Sequence, residues 1–176
     1  MNDDLLARVQ RLEDLEAIRR LKSEYARTCD LGADPDALLA LFAPDGDVVW
    51  RSNVFGEHQG REAIHKWFSG VAGMMPWAAH FMVNPVIGVA PSGDTAHGRW
   101  DLLEFTTMTR TDGSGEYEPV VMTGWYSDEF RKVGGKWYFG TIDIAMQQMS
   151  GWHEGWVREP HRGGDPLVVA AGRALR

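Results

Sequence analysis

Four polar side chains fall among apolar residues at spacings that suit a general acid–base site: Tyr25, Asp30, His80 and Glu104. A histidine whose far ring nitrogen is held by a carboxylate is a general base that takes a proton from carbon or oxygen near neutral pH. Either Asp30 or Glu104 could orient His80 in this way. Tyr25 could donate a hydrogen bond to a carbonyl or to a departing hydroxyl. The set suits proton abstraction next to a carbonyl, followed by loss of a leaving group or migration of a double bond.

Tyr25 and Asp30 stand at the end of a predicted N-terminal helix that runs to about Thr28. Apolar residues recur three or four apart, at positions 12, 15, 18, 21, 25 and 29, and therefore share one face. This stripe runs into Tyr25 and Asp30, which favours a helix that closes a pocket and carries two polar groups into it. The alternative is a core tyrosine and a carboxylate at the helix end. Cys29 lies on the same face and is interpreted as structural.

His80 opens the predicted strand 80–90, and Glu104 lies in the next one, 95–109. Because side chains alternate along a strand, Glu104 shares a face with Trp100. A carboxylate on an apolar face must find a partner or hold a proton. The alternatives are a structural histidine and a strand-end glutamate that reaches water.

The rest of the chain predicts helices first and strands afterwards. Asp34 and Pro35 are typical of the cap and first position of a second helix, and Gly60 precedes a third. A short strand at 48–50 lies between these helices. Long strands follow at 80–90, 95–109, 120–133 and 136–146, the last two joined by a predicted hairpin turn at Gly134-Gly135.

Helices followed by a run of strands indicate an α+β fold with helices on one face of a curved antiparallel sheet. If the sheet curls strongly, its concave face and the first helix enclose a cone-shaped pocket, an ordinary setting for small-molecule binding. We expect one α+β domain over residues 1–150. The irregular tail, 151–176, is expected to cover the pocket or a neighbouring subunit.

Composition argues against several other function classes. The 176-residue chain suits one domain, and its net charge of -7 disfavours nucleic acid and anionic membrane surfaces. No stretch approaches the roughly 20 apolar residues of a membrane span, and a single cysteine excludes an internal disulfide. We therefore expect a cytoplasmic protein. His153 and His161 lack neighbours at metal-ligand spacing, so no metal site is predicted.

Several motifs resemble those of SnoaL-like proteins in the nuclear-transport-factor-2-like superfamily. They are RLEDLEAIRRLKSEYARTCDLGADPDALLALFAPDGDVVW near the N-terminus, GREAI at 60–64, GRW at 98–100, WYSDEFRKVGGKWYF at 125–139 and REPHR at 158–162. The similarity extends from about Arg11 to Arg162. It implies a cone-shaped α+β barrel whose curved sheet wraps around a long N-terminal helix.

The later motifs resemble the dehydratase-type branch, which includes bile-acid 7α-dehydratase, scytalone dehydratase and hexachlorocyclohexane dehydrochlorinase. The resemblance implies a cofactor-free lyase, commonly a homotrimer, with a His–Asp pair in a conical pocket. The YARTCD segment then carries the family's tyrosine and aspartate at Tyr25 and Asp30. The HFMVNP segment carries its histidine at His80, and GRWDLLE a second polar pocket group at Glu104.

Two positions depart from this pattern. Trp50 stands where the family has a pocket tyrosine, although indole can still donate and stack. Met146 stands where the bile-acid enzyme carries an arginine, which makes an anionic substrate group there less expected. We predict that Trp50, Trp100 and Met146 form the apolar substrate-binding wall.

The leading hypothesis is a cofactor-independent dehydratase, a lyase acting on a hydroxylated cyclic or steroid-like ketone. In this hypothesis His80 is the base and Asp30 orients it. Tyr25 polarises the carbonyl or assists the leaving hydroxyl, and Glu104 is a second acid/base or a substrate partner. An isomerase or a polyketide cyclase could use the same site, since both begin with removal of an acidic proton.

Two hypotheses from other classes remain open. A non-catalytic ligand-binding or oligomerisation module predicts that Asp30 and His80 do not touch, or that side chains fill the pocket. The small subunit of a ring-hydroxylating oxygenase predicts co-purification with a larger iron-containing chain.

Overall fold

The computed structural model describes residues 2–162 and confirms the α+β class. The elements are α1 (Asn2–Asp30), α2 (Pro35–Leu39), β1 (Val49–Ser52), β2 (Gly56–Gln59), α3 (Arg61–Met74), β3 (Trp77–Val89), β4 (Thr95–Thr109), β5 (Tyr117–Val133), β6 (Lys136–Gly151) and α4 (Gly155–Arg158). Helix α1 ends two residues later than expected, so Asp30 is its last residue. Strand β2 was not predicted as a separate strand and forms a short hairpin with β1.

The six strands form one open sheet in the order β2-β1-β6-β5-β4-β3, with β2 and β3 at its edges. All neighbours are antiparallel except β1 and β6, which run parallel with Trp50 opposite Ile142. The antiparallel pairing expected for the four long strands is confirmed, whereas the short strand β1 pairs in parallel with β6. Parallel neighbours need a long crossover, and the chain between β1 and β6 supplies one through α3 and four strands.

Irregularities in strand pairing bend the long strands around α1. The register shifts between Val83 and Val86 on β3, and at two places between β5 and β6. Such bulges kink a strand and increase its twist. At one of them Gly124 lies so close to β6 that an added Cβ would stand 2.2 Å from the carbonyl oxygen of Ala145, so only glycine fits.

Local signals at the element ends are confirmed. The Asp34 carboxylate accepts hydrogen bonds from the backbone N–H groups of Asp36 and Ala37 at 3.0 and 3.3 Å, and Pro35 begins α2. Gly134 and Gly135 have φ of 58° and 83°, the left-handed values that a two-residue hairpin turn requires.

The core lies between α1 and the concave face of the sheet. Side chains of β4 alternate strictly between buried and exposed over its first half, as predicted for Trp100 and Glu104. On α1 the predicted apolar stripe is buried only from its middle onward: Ile18 is fully buried, whereas Leu12 is 66% exposed. The predicted burial was wrong for Leu12, because the first turns of α1 do not pack on the sheet.

The described tail packs at the end of the sheet. His161 pairs with Met149 of β6, and the Arg162 guanidinium bonds to Glu118 and to the carbonyl oxygen of Thr109. Up to Arg162 no tail residue lines the cavity described below. Residues 163–176 lie outside the described residues, so the pocket cover remains a prediction. Over residues 2–162, none of the helices has the length and apolar character needed to cross a membrane.

Candidate active site

The end of α1 meets the edge strand β3 through Asp30 and His80. The ring nitrogen Nδ1 of His80 lies 2.6 Å from Oδ1 of Asp30. The backbone N–H of His80 also donates to both Asp30 oxygens, at 3.1 and 3.2 Å. The carboxylate is therefore fixed by the same residue that it orients. Since a carboxylate accepts, this geometry assigns the proton of a neutral ring to Nδ1 and leaves Nε2 as the acceptor.

Glu104 contacts the other nitrogen of the same ring. Antiparallel pairing of β3 with β4 sets His80 directly opposite Glu104, and Nε2 lies 3.3 Å from the Glu104 Oε2. The Glu104 side chain is 3% exposed. The imidazole thus bridges two carboxyl groups, one at each nitrogen.

Burial and charge act in opposite directions on this group. Burial disfavours the imidazolium, but the charge of Glu104 and the hydrogen bond and charge of Asp30 outweigh it and raise the pKa of His80 above 6.5. Burial raises the pKa of Glu104 above 4.5; the imidazolium opposes this rise, and the charge of Asp30 adds to it. The two groups share a proton as a coupled pair, held either by Glu104 or by Nε2 of His80.

Tyr25 stands further along the cavity and remains a phenol. It is 2% exposed, and its hydroxyl accepts a hydrogen bond from the Trp50 indole N–H at 2.9 Å. Burial raises the pKa of Tyr25 well above 10.0, so the hydroxyl can act as a donor throughout the physiological range. Trp50 therefore does more than fill the position of the family's tyrosine, because it orients the hydroxyl of Tyr25.

These polar groups line a cavity between α1, α3 and the concave face of the sheet. His80, Glu104 and the tyrosines interrupt walls that are otherwise apolar. The apolar lining includes Trp50, Phe55, Trp67, Phe68, Met75 and Met146.

Trp50 and Met146 line the cavity as expected, but Trp100 does not. Trp100 packs against Phe130 with the ring centres 5.9 Å apart, beyond the end of the cavity. It does share a face of β4 with Glu104.

Sequence reasoning missed Tyr126, Lys22 and Asp128. Tyr126 lines the cavity with its ring edge-on to Tyr25, and Lys22 forms a buried ion pair with Asp128. The available signals were weak. Tyr126 and Asp128 alternate into the apolar face of β5, and Lys22 falls three residues before Tyr25 on the buried side of α1.

Cys29 lines the cavity without being a nucleophile. Burial raises the pKa of its thiol to about 12, so it stays protonated. Among residues 2–162, no cluster of three or more His, Cys, Asp or Glu side chains has the geometry to hold a metal ion.

Comparison with known proteins assigns the family. The family model described as the SnoaL-like domain matches residues 10–143. The chain belongs to the SnoaL-like family. Its fold is that of NTF2-like proteins, which confirms the resemblance read from the sequence motifs.

Solved structures that resemble this SnoaL-like protein carry several activities in their names. A candidate scytalone dehydratase from Novosphingobium aromaticivorans is 24% identical, with TM-score 0.70, over 94% of this chain and 99% of that one. A candidate aromatic ring hydroxylase from the same species is 26% identical, with TM-score 0.68, over 80% and 94%. The hexachlorocyclohexane dehydrochlorinase of Novosphingobium barchaimii is 19% identical, with TM-score 0.68, over 81% and 92%. The fold alone therefore does not select the reaction.

Proposed function

We propose that this protein is a cofactor-independent lyase that eliminates water from a hydroxylated cyclic ketone. One observation carries the proposal: the His80 ring is held at 2.6 Å by Asp30 and faces Glu104, beside an open apolar cavity. Dehydratase and dehydrochlorinase relatives support an elimination in general. Water as the leaving group and a ketone as the substrate go beyond what the relatives support and are proposed here.

The first step is removal of the proton next to the ketone. Neutral His80, with its Nδ1–H bound to Asp30, accepts this proton at Nε2. The electron pair of the broken C–H bond moves toward the carbonyl, whose oxygen gains negative charge. The hydroxyl of Tyr25, a buried residue, donates to that oxygen and stabilises the charge.

The second step expels the hydroxyl group on the neighbouring carbon. The electron pair returns to form the carbon–carbon double bond, and the C–O bond breaks. A proton from the His80–Glu104 pair joins the departing oxygen, so water leaves and an unsaturated ketone remains. Since base and acid lie 3.3 Å apart, both act on one face of the substrate, and we expect a syn elimination.

The walls define the substrate class. Aromatic rings and methionines favour an apolar cyclic molecule such as a fused-ring or steroid-like ketone. Met146 provides no cation for an acidic substituent. An isomerase or a polyketide cyclase would share the first step, and only the product separates them from a dehydratase.

The non-catalytic module is the less favoured alternative. It predicts that Asp30 and His80 do not touch, or that side chains fill the pocket, and the 2.6 Å contact between Asp30 and His80 argues against the first of these conditions. We propose in addition a cytoplasmic homo-oligomer, a trimer by resemblance. Large apolar side chains on β3 support self-association: Trp77, Phe81 and Val86 are 53%, 50% and 70% exposed. Light scattering after size-exclusion chromatography would measure the assembly.

The test is a substrate screen with a matched pair of histidine variants. Hydroxylated cyclic ketones are incubated with the wild-type protein, with His80→Ala and with His65→Ala. His65 is an exposed histidine that pairs with Asp36 at 3.1 Å and does not line the cavity. We expect the conjugated product to appear, by absorbance and NMR, with wild-type protein and His65→Ala only. Equal turnover by His80→Ala would refute the mechanism.

A further inference from the structure

A buried Lys–Asp pair lies beneath the cavity and has no part in the mechanism above. The Lys22 Nζ on α1 stands 2.7 Å from Oδ2 of Asp128 on β5, and both side chains are at most 1% exposed. The ammonium also lies 3.2 Å from the ring centre of Tyr126 and 5.2 Å from that of Tyr25. Both of these rings line the cavity.

The pair is a poor device for stability alone. Removing two charges from water carries a large desolvation penalty, and apolar replacements of buried pairs are often neutral or stabilising. Its location is more informative. Asp128 and Tyr126 point to the same face of β5, so Asp128 holds the cation directly against the back of a ring that faces substrate.

We infer that Lys22 is a positioning residue that acts through the two phenols of the site, and this inference rests on the proposed function. Held by Asp128, its ammonium fixes the ring of Tyr126 and polarises the hydroxyls of Tyr126 and Tyr25. The hydroxyls then donate more strongly to the substrate oxygen as it gains negative charge. Lys22 itself does not touch the substrate, since it does not line the cavity.

The physical basis is a buried cation on the face of an aromatic ring. The ring's electron density is drawn toward the ammonium, which leaves the phenol O–H more acidic and a stronger donor. Low local dielectric preserves this effect across several ångströms. Trp100 of β4 and Phe139 of β6 complete the surroundings of the ammonium and carry no charge.

The same charge reaches His80. Burial and Lys22 lower the pKa of His80, whereas Glu104 and Asp30 raise it, so loss of Lys22 moves this pKa further upward. These three charged groups, from β4 and from both ends of the buried part of α1, are the ones that act on the imidazole.

The chain contains a matched control pair. Lys132 and Asp14 also join the sheet to α1, at 2.6 Å, with the ammonium 5.0 Å from the ring centre of Trp137. None of these three residues lines the cavity. Replacing Lys132 therefore removes the same kind of contact without removing a charge near the reacting atoms.

The experiment compares Lys22→Met, Lys22→Arg, the double variant Lys22→Met/Asp128→Leu and Lys132→Met in a binding assay that needs no turnover. Burial lowers the pKa of Lys22 to about 8, so the assay is run at pH 7. A nitro-substituted naphthol that is anionic at this pH mimics the charged intermediate, and 1-tetralone mimics the neutral ketone. We expect Lys22→Met and the double variant to bind the anion about tenfold more weakly, with tetralone affinity changed less than twofold. Lys22→Arg and Lys132→Met should retain the anion preference.

Equal loss of both ligands in Lys22→Met, or full anion affinity in the folded double variant, would overturn the inference. The double variant guards against a fold defect, because it leaves no unpaired buried charge. The NMR titration of His80 gives a second readout, with its midpoint at higher pH in Lys22→Met than in wild type or Lys132→Met. If the anion preference depends on Lys22 but no ketone is dehydrated, the proposed function fails and the inference stands.

Discussion

At one end of the cavity three ionisable side chains lie within reach of one another, whereas the other end is a group of aromatic rings. The polar wall consists of His80 of β3 and Glu104 of β4, with Asp30 of α1 behind the His80 ring. The aromatic wall consists of Trp50, Phe55, Trp67 and Phe68, from β1, the loop after it and α3. In the sheet β1 and β3 are separated by β6, β5 and β4, so curvature brings these walls face to face.

The two walls should differ in what they contribute. Buried carboxyl groups around an imidazole cost stability and are useful for moving protons. Packed rings, such as Trp50 and Trp67 with centres 5.1 Å apart, bury apolar area and hold a flat ligand. Changes in the polar wall should therefore lower kcat, and changes in the aromatic wall should raise KM or weaken the fold.

The largest expected effect comes from His80→Gln. Loss of the base should lower kcat about 10³-fold, with KM within threefold of wild type. Stopped-flow absorbance on a confirmed ketone substrate measures both constants. If kcat stayed normal while KM rose, the polar wall would contribute to substrate binding rather than to the chemical step, and the proposed difference between the two walls would be refuted.

Asp30→Asn comes next, because it removes the acceptor that holds the Nδ1 proton. The amide can pair with Nδ1 in the wrong tautomer, and kcat should fall about 10²-fold. Nitrogen chemical shifts of the His80 ring report the tautomer directly. A normal kcat with an altered tautomer would show that orientation of the ring is not limiting.

The pH dependence gives a smaller effect with a definite sign. His80 must be neutral to act, so kcat/KM should rise with pH through a value above 6.5. Because the folded pKa of His80 is raised, its stabilising contribution is complete below the unfolded value and is lost as pH rises through the folded value. In Glu104→Gln the charge that raises this pKa is absent, and the rising limb should move to lower pH. A rising limb that moved to higher pH in this variant would contradict the pairing of Glu104 with His80.

The smallest expected effect lies in the aromatic wall. Trp50→Phe keeps the stacked ring but removes the N–H donor to Tyr25 at 2.9 Å. We expect a loss of about 1 kcal/mol in the free energy of unfolding, a change of less than threefold in kcat and a modest rise in KM. Denaturant melts and steady-state kinetics measure these changes. Trp152→Phe, at an exposed tryptophan outside the cavity, is the control.

Local patterns could predict the polar wall because each of its members has a local signature. Alternation on β4 predicted a buried Glu104, and the helical stripe led to Asp30. The contacts of Asp30 and Glu104 with His80 depend on how β3 and β4 pair and on where α1 ends. The sequence alone did not decide which of the two carboxylates orients His80. The resemblance to the family favoured Asp30, and the structure shows both Asp30 and Glu104 in contact with the His80 ring.

Contacts between distant segments explain what could not be predicted. Strand β2, GEHQ, has no apolar alternation and is a strand only because it pairs with β1. Lys22 and Asp128 are 106 residues apart and meet only after the sheet curves over α1. Trp100 was misplaced for a related reason, because alternation fixes the face of a side chain but not its distance along the cavity.

The parallel pairing of β1 with β6 also determines the order in which the protein can be assembled. The hairpin of β3 and β4 can form as soon as both strands leave the ribosome, and α1 is already available to it. Strand β1 can pair with β2 at once, but its other edge stays open until β6, the last long strand, has been synthesised. The edge of β1 next to the aromatic wall therefore stays unpaired through most of translation. The aromatic wall is the region where a nascent chain is most prone to aggregate and where a chaperone has most to protect.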